Sequence, residues 1–193
     1  MTDRLQEVFR QIDKMNAEDK NIDSSNGVSH PKELIYGQRM TNTLSLFEAP
    51  SETLQIAIRA QHIKRWVIPR NDYPMDRPGY LKWRTKLKIF HGDLTAEIMG
   101  VNGYNELEIK EVKDLLMKKN IKTDLDSQTL EDVACLVFLQ YYINDFTNEK
   151  EEEMMINVLR KTWPKMSEKA HDLALKFKYS PDVSKLIEKA LNI

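Results

Sequence analysis

The residues best equipped for chemistry are crowded into residues 59–91, which we call the basic segment. It holds nine Lys or Arg against two Asp, a net charge of +7, whereas the whole chain is −1 and the remainder therefore carries −8. Five aromatic residues, three prolines and two of the four histidines lie in the same stretch. Cations beside aromatic faces and rigid turns indicate a site for an anion. A phosphorylated small molecule fits, because arginine binds phosphate with paired hydrogen bonds.

Two histidines and one aspartate are the candidates for catalysis and metal binding: His62, His91 and Asp132. His62 follows Ile58 by one helical turn and His91 follows Leu87 by one turn, so both are expected to point inward. Asp132 opens the most apolar predicted helix, where an unpaired carboxylate is costly. Imidazoles and a carboxylate on facing helices form a ligand set for a divalent metal, namely zinc, manganese or iron.

Each of these three residues also has a purely structural interpretation. An inward histidine is often a hydrogen-bonded core residue. Asp132 can cap its own helix or pair with Arg59 or Arg65, since a buried carboxylate needs a partner. Cys135, the single cysteine, is interpreted as a small buried hydrophobic residue.

Two helical faces are expected to carry the anion-binding side chains. Arg59, His62 and Arg65 are three residues apart, which places them on one face of a predicted helix. Arg84 and Lys88 share a second face with His91. The aromatic residues of the segment stack on a ring or fill the core. The candidates for substrate binding are Arg59, Arg65, Trp66, Arg70, Arg84 and Lys88.

Helical periodicity dominates the chain outside residues 67–78, a proline-rich connection. We therefore predict an all-α fold, a single-domain helical bundle over residues 1–193, with a polar loop at 18–30. The predicted helices cover residues 3–15, 31–47, 51–66, 79–101, 105–119, 128–143, 148–161, 167–177 and 181–191.

Composition excludes several functional classes. Hydrophobic residues make up 41% and charged residues 31%, as in soluble globular proteins. No apolar run is long enough for a membrane span, and no signal-peptide pattern is seen, so a cytoplasmic or nuclear protein without a membrane partner is expected. Glycine-rich phosphate loops are missing, so neither a nicotinamide nor a flavin cofactor is expected.

Long sequence motifs resemble an uncharacterised domain family of bacteria and fungi that carries only a domain-of-unknown-function label. They begin with P-K-E-L-I-Y-G-Q-R-M and R-A-Q-H-I-K-R-W-x-I-P-R, continue through Y-P-M-D-R-P-G-Y-L-K-W-R and F-H, and end with Q-T-L-E-D-V-A-C-L-V-F-L. Their positions are 31–40, 59–70, 73–84, 90–91 and 128–139.

More distantly, the layout resembles the HD-domain superfamily of metal-dependent phosphohydrolases, an all-helical fold with the ligand pattern H…HD…(H)…D. The resemblance matches His62 to the histidine of the His-Asp doublet. It matches His91 to a further histidine and Asp132 to the final aspartate. It implies an HD-domain-like bundle and hydrolysis of a nucleotide or another small phosphate ester.

The chain departs from that pattern at two ligand positions. Ile63 replaces the aspartate of the doublet, and no histidine stands near residues 36–38, where the first ligand falls. Gln38 or Glu33 are the available substitutes, which makes Glu33 a further metal-ligand candidate.

Three functions are therefore predicted as alternatives. The first is a divergent metal-dependent phosphohydrolase. The second is a non-catalytic module that binds a phosphorylated small molecule. The third is an RNA-binding protein that uses the basic, aromatic stretch, which the acidic balance of the remaining residues disfavours.

Overall fold

The computed structural model describes residues 2–25, 27–119 and 123–192. Within that part of the chain the architecture is helical, as predicted, with ten α-helices and one small two-stranded sheet. The chain divides into two compact units, Met1–Ser127 and Gln128–Ile193, a subdivision that the sequence pattern did not indicate.

The first unit is built on the apolar stripe of its first helix. As predicted, Leu5, Val8, Phe9 and Ile12 are all buried. The elements of this unit are α1 (Asp3–Asn16), β1 (Ile22–Ser25), β2 (Val28–Pro31), α2 (Lys32–Leu44), α3 (Glu52–Ala60), α4 (Arg77–Val101) and α5 (Glu106–Leu116).

The polar loop predicted at 18–30 contains an antiparallel hairpin, which the prediction did not include. Ile22 pairs with Pro31 and Ser25 pairs with Val28. The sequence carried the signal in its Asn-Gly dipeptide, and Gly27 has the positive φ of 77° that such tight turns require. The polar composition of the segment concealed it, because neither strand of this hairpin needs a buried apolar face.

The predicted helix over 51–66 is too long. α3 ends at Ala60, and only a short 3-10 turn, Arg65–Val67, follows. Between them Lys64 adopts a left-handed conformation with φ of 48°, which no α-helix accommodates. The spacing argument that placed Arg59, His62 and Arg65 on one helical face is therefore also wrong.

The long helix α4 begins in a tightly packed turn. Asp76 caps it by accepting a hydrogen bond from the Gly79 N–H at 2.7 Å. A Cβ on Gly79 would lie 2.1 Å from the Pro74 carbonyl oxygen, so this position excludes every side chain. Arg70 donates to the carbonyl oxygens of Tyr73 and Asp76 and so braces the proline-rich connection.

The second unit starts within α6 (Leu125–Val137), the predicted apolar helix. Leu130, Val133 and Leu136 are buried, as expected for a core helix. The remaining elements are a π-helical turn (Phe138–Tyr142), α7 (Ile143–Glu149), α8 (Glu152–Thr162), a 3-10 turn (Trp163–Lys165), α9 (Glu168–Ala174) and α10 (Pro181–Leu191). No helix in the described part of the chain is both long and apolar enough to cross a membrane.

Candidate functional site

Asn16 holds together the two backbone segments that carry Glu33 and His62. Its amide nitrogen donates to the Glu33 carbonyl over 3.4 Å, and its side-chain oxygen accepts from the Lys64 N–H at 2.9 Å. Asn16 is buried at the end of α1, so both bonds are shielded from water. Because it bonds the start of α2 and the turn after α3 at once, Asn16 sets the distance between them.

Asp19 supplies the N-terminal cap of α2. Pro31 occupies the N-cap position and provides no side-chain hydrogen bond. The Asp19 carboxylate instead accepts from the Glu33 N–H at 3.2 Å, and negative charge is favourable at a helix N-terminus. Glu33 is thereby fixed in the first turn, with its own carboxylate buried beside His62.

His62 is held on three sides by side chains of different chemistry. Its ring stacks on Tyr36 with centroids 4.0 Å apart. Its Nδ1 lies 3.1 Å from Glu33 Oε2, and its Nε2 lies 3.3 Å from the Arg65 guanidinium. Arginine can only donate, so Nε2 is the acceptor and the proton resides on Nδ1, where it bonds Glu33.

His91 lies next to His62, with ring centroids 6.2 Å apart. It is only 3% exposed on α4. One ring nitrogen hydrogen bonds the backbone of Gln61. The other, Nε2, is buried and has no hydrogen-bond partner among the residues that the structure describes. A buried polar atom in this state normally costs about 1–3 kcal/mol, so its retention requires an explanation.

Both imidazoles are held in the neutral form. Burial lowers the pKa of His62, and the charges of Arg65 and Lys118 lower it further, while Glu33 acts in the opposite direction. Burial also holds the pKa of His91 well below its ordinary value of 6.5, with further lowering by His62 and Arg65. The cluster therefore presents uncharged nitrogen atoms inside a positively charged surrounding.

The two histidine rings are oriented so that one nitrogen of each is hydrogen bonded to an oxygen atom, which leaves the other for a different partner. Each Nδ1 is committed to an oxygen acceptor, a carboxylate for His62 and a backbone carbonyl for His91. Each Nε2 carries the lone pair that can coordinate a cation or accept a proton. Arg65 engages this lone pair in His62, whereas that of His91 has no partner among the described residues. Histidines that bind metals in proteins are commonly oriented in this way, by a hydrogen bond from the nitrogen that does not bind the metal.

Arg65 is the predicted substrate-binding residue that the structure brings to this cluster. Besides its bond to His62, its Nε lies 3.9 Å from Glu33 Oε1. Its guanidinium carbon lies 4.7 Å from the ring centre of Trp83, an aromatic contact that stabilises the cation. The side chain is 32% exposed, so a ligand in solvent can reach it.

The remaining predicted substrate-binding residues of the basic segment make other contacts than Arg65 does. Arg70 bonds backbone carbonyls, as described above. Arg84 is exposed on α4, and its guanidinium lies 3.5 Å from the Tyr80 hydroxyl. Lys88 donates to the Met117 carbonyl at 3.2 Å, which joins α4 to the end of α5. Trp66 is half-buried in the 3-10 turn.

Arg59 contributes to stability rather than to the cluster. Its guanidinium donates twice to the Asp13 carboxylate, at 2.7 Å from Nε and 2.5 Å from Nη2. Its Nη1 donates to the Gly37 carbonyl and the Thr41 hydroxyl. All three nitrogens are therefore engaged, and the side chain is nearly buried.

Asp132 lies in the second unit, where it is buried and fully hydrogen bonded. Its carboxylate accepts from the Ser167 N–H at 2.8 Å, the Ser167 hydroxyl at 2.5 Å and the Gln128 amide at 2.9 Å. Ser167 is the N-cap of α9. Asp132 thus bonds the residue at the start of α9. The sequence alternative had Asp132 capping its own helix, whereas in the structure it supports the N-terminus of a different one.

The described residues contain no group of three or more His, Cys, Asp or Glu arranged to hold a metal ion. Glu33, the further ligand candidate, lies at the Nδ1 side of His62, where it orients the ring. The protein side of a metal site here would therefore consist of the two Nε2 atoms. These atoms fit that role, because His91 Nε2 is buried with no partner among the residues described, and the other nitrogen of each ring is hydrogen bonded.

Sequence reasoning missed three residues of this site: Asn16, Tyr36 and Lys118. Asn16 had a readable signal, since it follows Ile12 by four residues and so continues the apolar stripe of α1 with a polar side chain. Tyr36 and Lys118 reach His62 from α2 and from the end of α5, and no local pattern relates those segments to it.

One comparison with known proteins gives a match. The profile of the family described as Domain of unknown function (DUF4202) matches residues 6–187. No curated protein and no solved structure matches the chain.

Proposed function

We propose that this chain, which belongs to the DUF4202 family, is a divergent metal-dependent phosphohydrolase acting on a nucleotide or another small phosphate ester. The reactive site in this proposal is the His62–His91 cluster of the first unit. His62 and His91 bind a divalent cation through Nε2, and Arg65 binds the phosphate.

The observation that carries the proposal is the state of His91. Its Nε2 is buried and has no partner in the described residues, while its other nitrogen is anchored on backbone. A core histidine that served only packing would cost less as an apolar residue. A nitrogen that coordinates a cation accounts for both its burial and its orientation.

The charges around the cluster support a phosphate ligand. Arg65 and Lys118 are close enough to lower the pKa of His62, whereas Glu33 is the carboxylate that acts on it from the opposite side. A divalent cation would add two positive charges, so a phosphate dianion complements the site. Bound there, such a cation would polarise the phosphorus–oxygen bonds and make a water molecule more acidic.

The remote resemblance to HD-domain phosphohydrolases agrees with this proposal in the positions of His62 and His91. Ile63, which replaces the aspartate of the doublet, is completely buried in the core. Asp132, which that resemblance matches to the final aspartate, belongs to the second unit, where Ser167 donates to its carboxylate.

A non-catalytic module for a phosphorylated small molecule is the second candidate, and one observation favours it. The Arg65 guanidinium occupies the hydrogen-bonding direction of His62 Nε2 at 3.3 Å. A phosphate held by Arg65 alone would need no metal. The two candidates differ in their requirement for a divalent cation and in phosphate release.

Metal binding and phosphate release together test the proposal. We expect the purified protein to bind Mn²⁺ or Zn²⁺, and to release phosphate from at least one nucleotide or phosphate ester. His62→Gln and His91→Gln should abolish both properties. His30→Gln, a change in the hairpin, should preserve them and is the matched control. Absence of bound metal in the unaltered protein would reject the hydrolase, while phosphate binding without turnover would support the module.

A further inference from the structure

We infer that Arg65 couples the binding of phosphate to the binding of metal: it occupies His62 Nε2 in the free protein and leaves it when a phosphate arrives. This inference rests on the proposed function and adds the condition under which that site binds a metal ion. Arg65 would thus prevent the cluster from binding a metal ion until a phosphate compound is present.

The first step is a competition for one lone pair. His62 Nε2 accepts from Arg65 Nη1 at 3.3 Å. A neutral imidazole nitrogen has a single lone pair, so it cannot accept that hydrogen bond and coordinate a cation at the same time. The positive charge of the guanidinium also repels an incoming divalent ion. In the free protein the two states therefore exclude one another.

The second step is the weakness of the contacts that hold Arg65. Its bond to His62 is long, and its distance to Glu33 Oε1 is 3.9 Å, beyond a normal hydrogen bond. Arg59 shows the opposite condition, with two bonds to one carboxylate. Arg65 is thus held by few polar contacts, while Trp83 supports the flat face of its guanidinium.

In the third step, phosphate replaces His62 as the hydrogen-bond acceptor of Arg65, because phosphate binds a guanidinium more strongly than a neutral imidazole does. A phosphate accepts two parallel hydrogen bonds from a guanidinium, and such charge-assisted pairs are about twice as strong as neutral ones. Because Arg65 is 32% exposed, a phosphate can bind it without opening the core. Its departure frees His62 Nε2, while the Nε2 of the neighbouring His91, whose ring centroid lies 6.2 Å away, has no hydrogen-bond partner among the described residues.

Because the binding of phosphate and the binding of metal are thermodynamically linked, the coupling can be measured on the affinity for either ligand. If phosphate raises metal affinity by a given factor, the metal must raise phosphate affinity by the same factor. We expect about a tenfold effect, within the usual range of such couplings. Removal of the guanidinium should give tight metal binding even without phosphate.

Titration with Mn²⁺, followed by the electron paramagnetic resonance signal of the free ion, tests this with and without inorganic phosphate. The unaltered protein should bind Mn²⁺ about tenfold more tightly with phosphate. Arg65→Gln should bind Mn²⁺ alone more tightly than the unaltered protein does, and phosphate should then change its affinity less than about twofold.

Arg10→Gln is the matched control, because it removes an exposed guanidinium that bonds Glu7 on the same helix and leaves the Arg65 hydrogen bond in place. It should keep the phosphate dependence. If Arg65→Gln and Arg10→Gln behave alike, or if Arg65→Gln does not bind Mn²⁺ more tightly than the unaltered protein, the coupling is wrong although the metal site stands. If Mn²⁺ binds to neither the unaltered protein nor Arg65→Gln, the proposed function itself fails.

Discussion

Arg59 and Arg65 lie six residues apart in the same basic segment, yet their surroundings differ in kind. Arg59 donates from all three nitrogens, twice to the Asp13 carboxylate. Arg65 instead bonds an uncharged imidazole over 3.3 Å, near a second imidazole whose buried Nε2 has no hydrogen-bond partner in the described part of the chain. The difference leads us to expect a binding site only where the fold leaves a positive charge without a hydrogen bond to a carboxylate.

The sharpest test of this comparison replaces each arginine by alanine. Arg59→Ala leaves a carboxylate without its partner and should lower the free energy of unfolding by about 3 kcal/mol. Arg65→Ala should lower it by less than about 1 kcal/mol, because a partly exposed cation with weak contacts contributes little. Urea denaturation of both variants gives the two values. Equal losses would contradict the assignment of Arg59 to stability and of Arg65 to binding.

Asn16→Ala should have the next largest effect, because it breaks two buried hydrogen bonds at once. We expect a loss of about 2 kcal/mol in the free energy of unfolding, since the Lys64 N–H and the Glu33 carbonyl lose their partner. Mn²⁺ affinity should fall as well, because Asn16 joins the segments of Glu33 and His62.

Asn42→Ala is the control for that prediction, since Asn42 is exposed on α2. It should leave both properties nearly unchanged. Unaltered Mn²⁺ binding in a folded Asn16→Ala protein would show that Asn16 does not position the cluster.

His91→Leu should cost less stability than its complete burial suggests. The substitution removes a packed ring and its hydrogen bond to the Gln61 backbone. It also removes an Nε2 that is buried with no partner among the described residues, and this gain opposes those losses. We expect a net change within about 1 kcal/mol, together with loss of Mn²⁺ binding. Chemical denaturation and metal titration of the same sample separate the two properties. A loss as large as that of Arg59→Ala would assign His91 to the core instead.

The smallest predicted effect on stability concerns a separate group of charges in the first unit, where Arg4 bonds both Glu52 and Glu108. A hydrogen bond from Thr2 is the largest cause that lowers the pKa of Glu52, and the backbone of Asn105 is the largest for Glu108. Both folded pKa values lie below the ordinary 4.5. Their contribution to stability is therefore present above that pH and is lost as the pH falls.

Arg4→Gln should weaken this acid dependence. The free energy of unfolding, measured from neutral pH down to about pH 3, should fall less steeply in the variant than in the unaltered protein. Identical acid profiles would mean that the pairing of Arg4 has no effect on the two carboxylates.

The sequence predicted the fold class and most helices, because helical periodicity is a local property. The buried stripe of α1 followed directly from the spacing of its apolar residues. The end of α3 at Ala60 was not predicted. In the turn that follows α3, the Lys64 N–H donates to Asn16, which lies 48 residues away, and no local pattern reveals that bond. The hairpin was missed because its strands pair only with each other and need no apolar pattern.

The site was predictable in part for the same reason. Composition pointed to His62, His91 and Arg65, and the structure places these three together. Composition also pointed to Arg59, whose partner Asp13 lies on another helix. Which cation meets a carboxylate depends on tertiary contacts, and no spacing within the basic segment reveals it.

Anomalous diffraction from crystals grown with Mn²⁺ and phosphate tests the central claim most directly. We predict a manganese peak within bonding distance of Nε2 of both His62 and His91, with the Arg65 guanidinium turned from His62 to the phosphate. A peak elsewhere, or no peak while Arg65 still donates to His62, would contradict the account.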